Sequence, residues 1–245
     1  MLRVPPGVHR AELGETVAVL NEATGTWMWA SPLADRIWAA AIEGRVDTLI
    51  ATLAAEGHGE KAEHTVRTTI DQLVRAGYLT IAGPGLRALP EQMPDVAVPA
   101  PDTERAPSRP VRWLARTGLA LSLILMTAPL RWRLRALAPL RVLPAASPAL
   151  AGAVSAAVPQ IRPAWYRGRI ACMEISLATV LALALCGRRA HWVLGARQLP
   201  TEAHAWVWTE NGAFGLSGRD RPDPRRPWVG ALAAPPVPHA RKGEP

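Results

Sequence analysis

Apolar and polar positions alternate over residues 15–21 (ETVAVLN), pause at the turn-forming EATG of 22–25, and resume in the short aromatic run TWMWAS of 26–31. Period-two alternation on both sides of a short turn predicts a β-hairpin. The period then lengthens. Leu33, Ile37, Trp38 and Ala41 share one face of a helix that starts at Pro32, behind Ser31 as N-cap, and stops at Gly44. Val46, Leu49, Ile50 and Leu53 repeat that spacing, and Val66, Ile70, Leu73 and Val74 repeat it again before Gly77. The run YLTI at 78–81 reads as a short returning strand. A hairpin, three amphipathic helices and a return strand predict a small winged-helix-like domain over residues 1–83.

Periodicity then stops. Residues 84–110 contain seven prolines and sustain neither period, which predicts an extended linker. Beyond it, apolar helices flanked by arginine run from about 111 to 158, interrupted at Pro129, Pro139, Pro144 and Pro148. A longer apolar run predicts a helix over 171–186. The stretch 190–197 (AHWVLGAR) reads as a strand, and 203–218 reads as a hairpin turning at Asn211-Gly212. The C-terminal stretch, RPWVGALAAPPVPHARKGEP, is expected to be loose.

Charge sharpens this division. Residues 1–83 carry seven basic and ten acidic side chains, while the whole chain nets +8 and its basic residues are arginine except for Lys61 and Lys242. An acidic first domain argues against nucleic acid as its partner, since phosphate neutralisation dominates that affinity. The apolar stretch 117–130 is 14 residues long and holds Pro129, shorter than the ~20 residues that cross a bilayer; no stable membrane insertion is expected. The N-terminal residues lack the apolar core of a signal peptide. Cys172 and Cys186, on one helix, would stand about 21 Å apart, too far for a disulfide. A reducing cytoplasm is the expected location. No metal-ligand cluster and no nucleotide-binding glycine motif appear, so neither metal nor cofactor is assigned.

The chemistry candidates lie in the last segment. Cys172 stands at the start of the 171–186 helix, where the helix dipole and free N–H groups acidify a thiol. His204 lies in the next-but-one element, on a strand face shared with Trp206 and Trp208, as a base for that thiol. Free cysteine is also an ordinary core residue, and Cys186 reads that way. Asp220 is the carboxylate near the following strand end, although strict pairing about Asn211-Gly212 turns it to the opposite face; Ser217 lies diagonally on the histidine's face. In the first domain, Thr26, Trp27, Met28 and Trp29 form a candidate edge strand for an added peptide strand, with Val66, Thr69, Ile70 and Leu73 of the third helix as the second wall.

Two stretches resemble known families. VAVLNEATGTWMWASPLADRIWAAAIEG with VRTTIDQLVRAGYL resembles the PqqD-like element that holds leader peptides in pathways modifying ribosomally made peptides. RIACMEISLATVLALALCGRRAHWVLGARQLPTEAHAWVWTENG resembles the transglutaminase-like leader peptidase of lasso-peptide biosynthesis. The resemblance covers residues 1–83 and about 111–220 and implies a fused B protein of such a pathway. Its implied fold is α+β: a PqqD-like winged helix (1–83), a linker (84–110), and a helical segment leading into a transglutaminase-like, papain-like cysteine peptidase domain (111–245). Its implied activity is removal of the leader of a precursor peptide before an asparagine-synthetase-like cyclase closes the macrolactam. Cys172 would be nucleophile and His204 base. The third member departs from the family pattern, with Leu216 at one expected position, which leaves Asp220, Ser217 or a Cys-His dyad. A non-catalytic leader-binding scaffold and an acyl-transferring transglutaminase are the alternative readings.

Overall fold

Alternation produces the sheet that it predicts, plus one strand more. In the computed structural model, which describes residues 2–81, 84–86, 89–90, 93–100, 107–161, 170–198, 200–216, 220–221 and 223–237, the chain divides into two compact units, Met1–Gln92 and Met93–Pro245. In the first unit, β1 (Val8–Glu12), β2 (Val17–Asn21) and β3 (Thr26–Ala30) form an antiparallel meander. β1 was hidden because its polar residues mask the alternation: only Val8 and Ala11 of VHRAE are buried.

Three helices come next: α1 (Pro32–Glu43), α2 (Val46–Leu53) and α3 (Lys61–Arg75). The Ala34 amide donates to the Ser31 hydroxyl oxygen at 3.2 Å, so the expected N-cap is made. Trp38, Ala41, Ile42 and Leu73 pack on Val17, Val19 and Ala30 of the sheet, while Ile37, Leu53, Ala62 and Val66 join the helices to one another. The expected return strand is instead a pair of bridges: Arg3 pairs with Thr80 and Val4 with Leu86.

The second unit opens with α4 (Arg109–Leu125), α5 (Leu130–Leu137) and α6 (Pro148–Ala157), separated by the expected proline breaks. α7 (Cys172–Leu185) packs most extensively against α4. That contact depends on Gly118, where a Cβ would lie 2.4 Å from the Ala178 carbonyl oxygen. The sheet is antiparallel in the order β6 (Gly212–Phe214), β5 (Glu202–Thr209), β4 (His191–Arg197), β7 (Val229–Ala234). Leu177, Ala178, Val180, Ala182 and Leu183 are fully buried, which accounts for a nearly uniform apolar sequence without a polar stripe.

Two expectations fail here. The C-terminal stretch is not loose up to Ala234: β7 pairs with β4 along Trp192–Ala196, and Trp228 is buried beside it. Small side chains in VGALAA fit the crowded space against Val193 and Val96, so the pattern carried little hydrophobic bulk to betray a strand. Nor is the proline-rich segment extended linker throughout. Val96 and Ala97 are buried in the second unit's core with Val193, Trp206 and Trp228. The Trp206 indole donates to the Val96 carbonyl at 2.8 Å, and Ala100 donates to the Ala213 carbonyl at 2.8 Å. Proline tolerates such a strand-like strap, because only one side of the backbone needs partners.

Candidate active site

Cys172 is the first residue of α7, and Ala171 caps the helix in extended conformation. The first turn is held from three sides. Glu174 accepts a hydrogen bond from the Ala171 amide at 3.0 Å. The buried Ser122 hydroxyl of α4 donates to the Glu174 carbonyl at 2.9 Å. Ser176 donates to the Cys172 carbonyl at 2.6 Å and accepts from the Trp192 indole at 2.9 Å, which ties the turn to β4. A thiol so mounted has little freedom to drift from the helix axis, and the dipole's positive end lies under it.

His204 comes from β5, opposite Gly195 of β4. β6 is short and pairs with Val207–Thr209, so among the described residues no strand pairs with the first half of β5 on that side. Cys172 meets β5 there: its sulfur shares a hydrogen bond with His204 and receives one from the Ala205 backbone amide. Burial pushes the Cys172 thiol up, but the His204 hydrogen bond and charge, with the Ala205 and Met173 amides, outweigh it and hold the thiol below its usual range. Burial likewise pushes His204 down; the bond and charge of Cys172, the charge of Asp220 and the Gly215 carbonyl together raise it above the usual histidine range. The opposite shifts each favour the charged form of their group, and the two groups titrate as one unit.

A departure from strand register decides where Asp220 lies. Gly215 takes φ +92° and turns the chain out of β6, so pairing about Asn211-Gly212 no longer governs the residues beyond it. Asp220 returns to the cleft that Cys172 and His204 line, and its charge favours the imidazolium. Ser217 lies outside the described residues. Leu216 is a core residue of the second unit.

Sequence reasoning missed Trp228. Its ring lies 5.1 Å from the His204 ring, its N–H donates to the Asp220 carbonyl at 2.7 Å, and the Arg197 guanidinium lies over its ring at 4.3 Å. A buried tryptophan one residue before an apolar run was the available signal. The cleft itself is about 650 Å³ and open. Besides Cys172, His204 and Asp220, its walls mix small and apolar residues, among them Gly152, Ala156, Ile175, Val207 and Phe214, with the polar side chains of Ser155, Thr179 and Glu202. Among the described residues, no three His, Cys, Asp or Glu side chains gather as a metal site.

In the first unit, β3 is one edge of the sheet and β1 the other. Thr26 is exposed, and Trp27 and Trp29 are half-buried neighbours with ring centroids 6.2 Å apart. Met28 is turned to the core. On α3, Thr69 and Ile70 are half-buried, but Val66 and Leu73 are wholly inside the helical and sheet cores. That corrects their assignment to a peptide-facing wall: the 3.6-residue period that marks a helix face marks here its core face.

No curated protein and no solved structure matches this chain. No described helix is long and apolar enough to cross a membrane. Residues 114–225, which hold Cys172, His204 and Asp220, match the family model described as the transglutaminase-like superfamily, so the second unit carries a transglutaminase-like superfamily domain, of a kind that generally performs Cys-His-Asp protease or transferase chemistry.

Proposed function

We propose that this protein is a cysteine peptidase that removes the leader from a ribosomally made lasso-peptide precursor, in the cytoplasm, ahead of macrolactam closure by an asparagine-synthetase-like cyclase. The observation that carries the peptidase reading is the Cys172–His204 pair at the open edge of β5, with the thiol lowered and the imidazole raised. An extended chain has room to lie along such an edge, its main chain pairing with the uncovered part of β5. The Cys172 thiolate attacks the scissile carbonyl carbon, and a backbone N–H beside Cys172 faces the developing oxyanion. The His204 imidazolium gives its proton to the departing amine, which leaves as the new N-terminus of the core peptide. The neutral imidazole then takes a proton from water as the water oxygen attacks the thioester; the leader leaves as a carboxylic acid and the thiol is restored.

The first unit serves as leader-binding element. Its exposed edge β3, with Trp27 and Trp29 side by side, supports capture of an extended peptide, Thr26, Thr69 and Ile70 being the further surface residues of that reading. Carrying the binding element and the protease in one chain raises the local concentration of the scissile bond.

Mass spectrometry of a precursor encoded beside this protein tests the proposal, with wild type and Cys172→Ala, with and without the cyclase. A leader fragment produced by wild type alone supports it. Intact precursor in every arm overturns it. Transfer of the acyl group to an added amine in preference to water assigns the pair to a transferase.

A further inference from the structure

We propose that the outward faces of α4 and α5 form a docking surface for an anionic phospholipid bilayer, on which the protein rests without crossing it. Residues 107–161 contain seven arginines and no Lys, Asp or Glu. One of the seven is internal: Arg133 donates to the Ala128 and Met126 carbonyls at 2.8 Å each and closes the turn between the two helices. The other six, Arg109, Arg112, Arg116, Arg131, Arg135 and Arg141, are all exposed. None of these six makes an ion pair with a carboxylate among the described residues. An uncompensated cluster of this kind costs self-repulsion and is neutralised by an anionic partner.

Charge alone would suit any polyanion; the side chains between the arginines do not. α4 turns Ala115, Gly118, Leu119 and Ser122 inward, and on its opposite side Trp113 and Ile124 are 67% and 69% exposed. α5 turns Leu130 and Leu137 inward and leaves Trp132 half in water; Val142, just beyond, is 79% exposed. Arginine lies over both indoles, Arg116 on Trp113 at 5.7 Å and Arg135 on Trp132 at 4.8 Å. Indole at headgroup depth, aliphatic side chains below it and guanidinium on phosphate is the composition of an interfacial helix. A nucleic acid has aromatic faces for the indoles but offers Ile124 and Val142 nothing comparable. α4 has 17 residues and, like every described helix, falls short of a membrane span, so it lies in the interface plane.

The test is co-sedimentation of the full chain with vesicles. Vesicles of phosphatidylcholine containing about one-third phosphatidylglycerol are expected to carry the protein down at about 0.1 M salt, and pure phosphatidylcholine vesicles are not. Two triple variants, Trp113→Ser/Ile124→Ser/Trp132→Ser and Arg112→Gln/Arg116→Gln/Arg135→Gln, are each expected to lower partition at least about tenfold while keeping the wild-type far-ultraviolet dichroism. With wild type, brominated phospholipid in the anionic vesicles should quench tryptophan emission. No sedimentation with anionic vesicles overturns the proposal, as do equal partition of wild type and folded variants, or absence of quenching. Retention on DNA without vesicle binding overturns it in favour of a nucleic-acid face.

Discussion

The Trp228 indole touches His204 and holds Asp220 by its backbone: its N–H donates to the Asp220 carbonyl oxygen at 2.7 Å, and its ring lies 5.1 Å from the imidazole. One side chain therefore fixes both the orientation of the base and the position of the carboxylate that favours its charge. Trp228→Phe keeps a ring and loses the indole N–H. Peptidase assays are expected to show a fall of about fivefold in kcat/KM from loosening Asp220, since one lost hydrogen bond is worth about 1 kcal/mol. Trp228→Leu, which also removes the stack, is expected to cost more.

Asp220→Asn removes the negative charge that helps to raise His204. In the proposed mechanism the active form pairs a thiolate with an imidazolium, so its alkaline limit is loss of the His204 proton. Removing the carboxylate makes that proton easier to lose, and the alkaline limb of the pH–rate profile should move to lower pH. kcat should also fall, within the roughly 10²–10⁴-fold range of general acid–base contributions. An unmoved alkaline limb would dissociate Asp220 from the site.

His191 is buried, has its ring tilted against Trp208 with centroids 5.1 Å apart, and donates from Nδ1 to the Pro235 carbonyl at 2.7 Å. Burial pushes it below the usual histidine range, against the Pro235 bond, which raises it; Arg189 lowers it further and Glu210 raises it. A histidine depressed in the folded state is neutral there while the unfolded chain takes up a proton. Its contribution to stability is whole above the ordinary histidine value, about 6.5, and declines as pH falls towards the folded value. Urea melts at pH 7 and pH 5 should show this loss, and His191→Asn should flatten it.

Ser176→Ala leaves the buried Trp192 indole N–H without its acceptor and unties the Cys172 carbonyl. A destabilisation of about 1–3 kcal/mol is expected, read as a lower midpoint in denaturant. Gly118→Ala is expected to cost about as much through overpacking of α4 on α7.

In the first unit, Trp27→Ser should raise KM for the full precursor several-fold and leave kcat at saturation nearly unchanged, because the role proposed for β3 is binding and not chemistry. Equal changes in both constants would argue against a recognition role for that edge.

Elements announced by strong local chemistry were legible in the sequence: Ser31-Pro32 as a helix start, Asn211-Gly212 as a turn, and Cys172 ahead of an apolar run. The Cys172–His204 pairing was legible too, because a helix start and a strand face fix where each side chain points. Asp220 could be named but not aimed, since strand register predicts direction only while pairing lasts, and Gly215 ends it. β7 and the Val96–Ala100 strap were illegible for a different reason. Their residues are small or proline-adjacent, and their place is set by tertiary partners on β4 and β6. Val66 and Leu73 show the converse: periodicity located their helix face correctly but cannot distinguish a face that packs inward from one that binds.

The nucleophile stands at the end of a helix whose middle is sealed by α4, α6 and the sheet. Amides along Leu177–Leu183 should accordingly exchange with solvent only when the whole second unit opens, while the uncovered start of β5 exchanges through small local fluctuations. Heat or denaturant would then loosen His204 and the Ala205 amide from the sulfur while the helix that carries Cys172 stays closed, and inactivation would begin as a loss of pairing with the thiol still mounted.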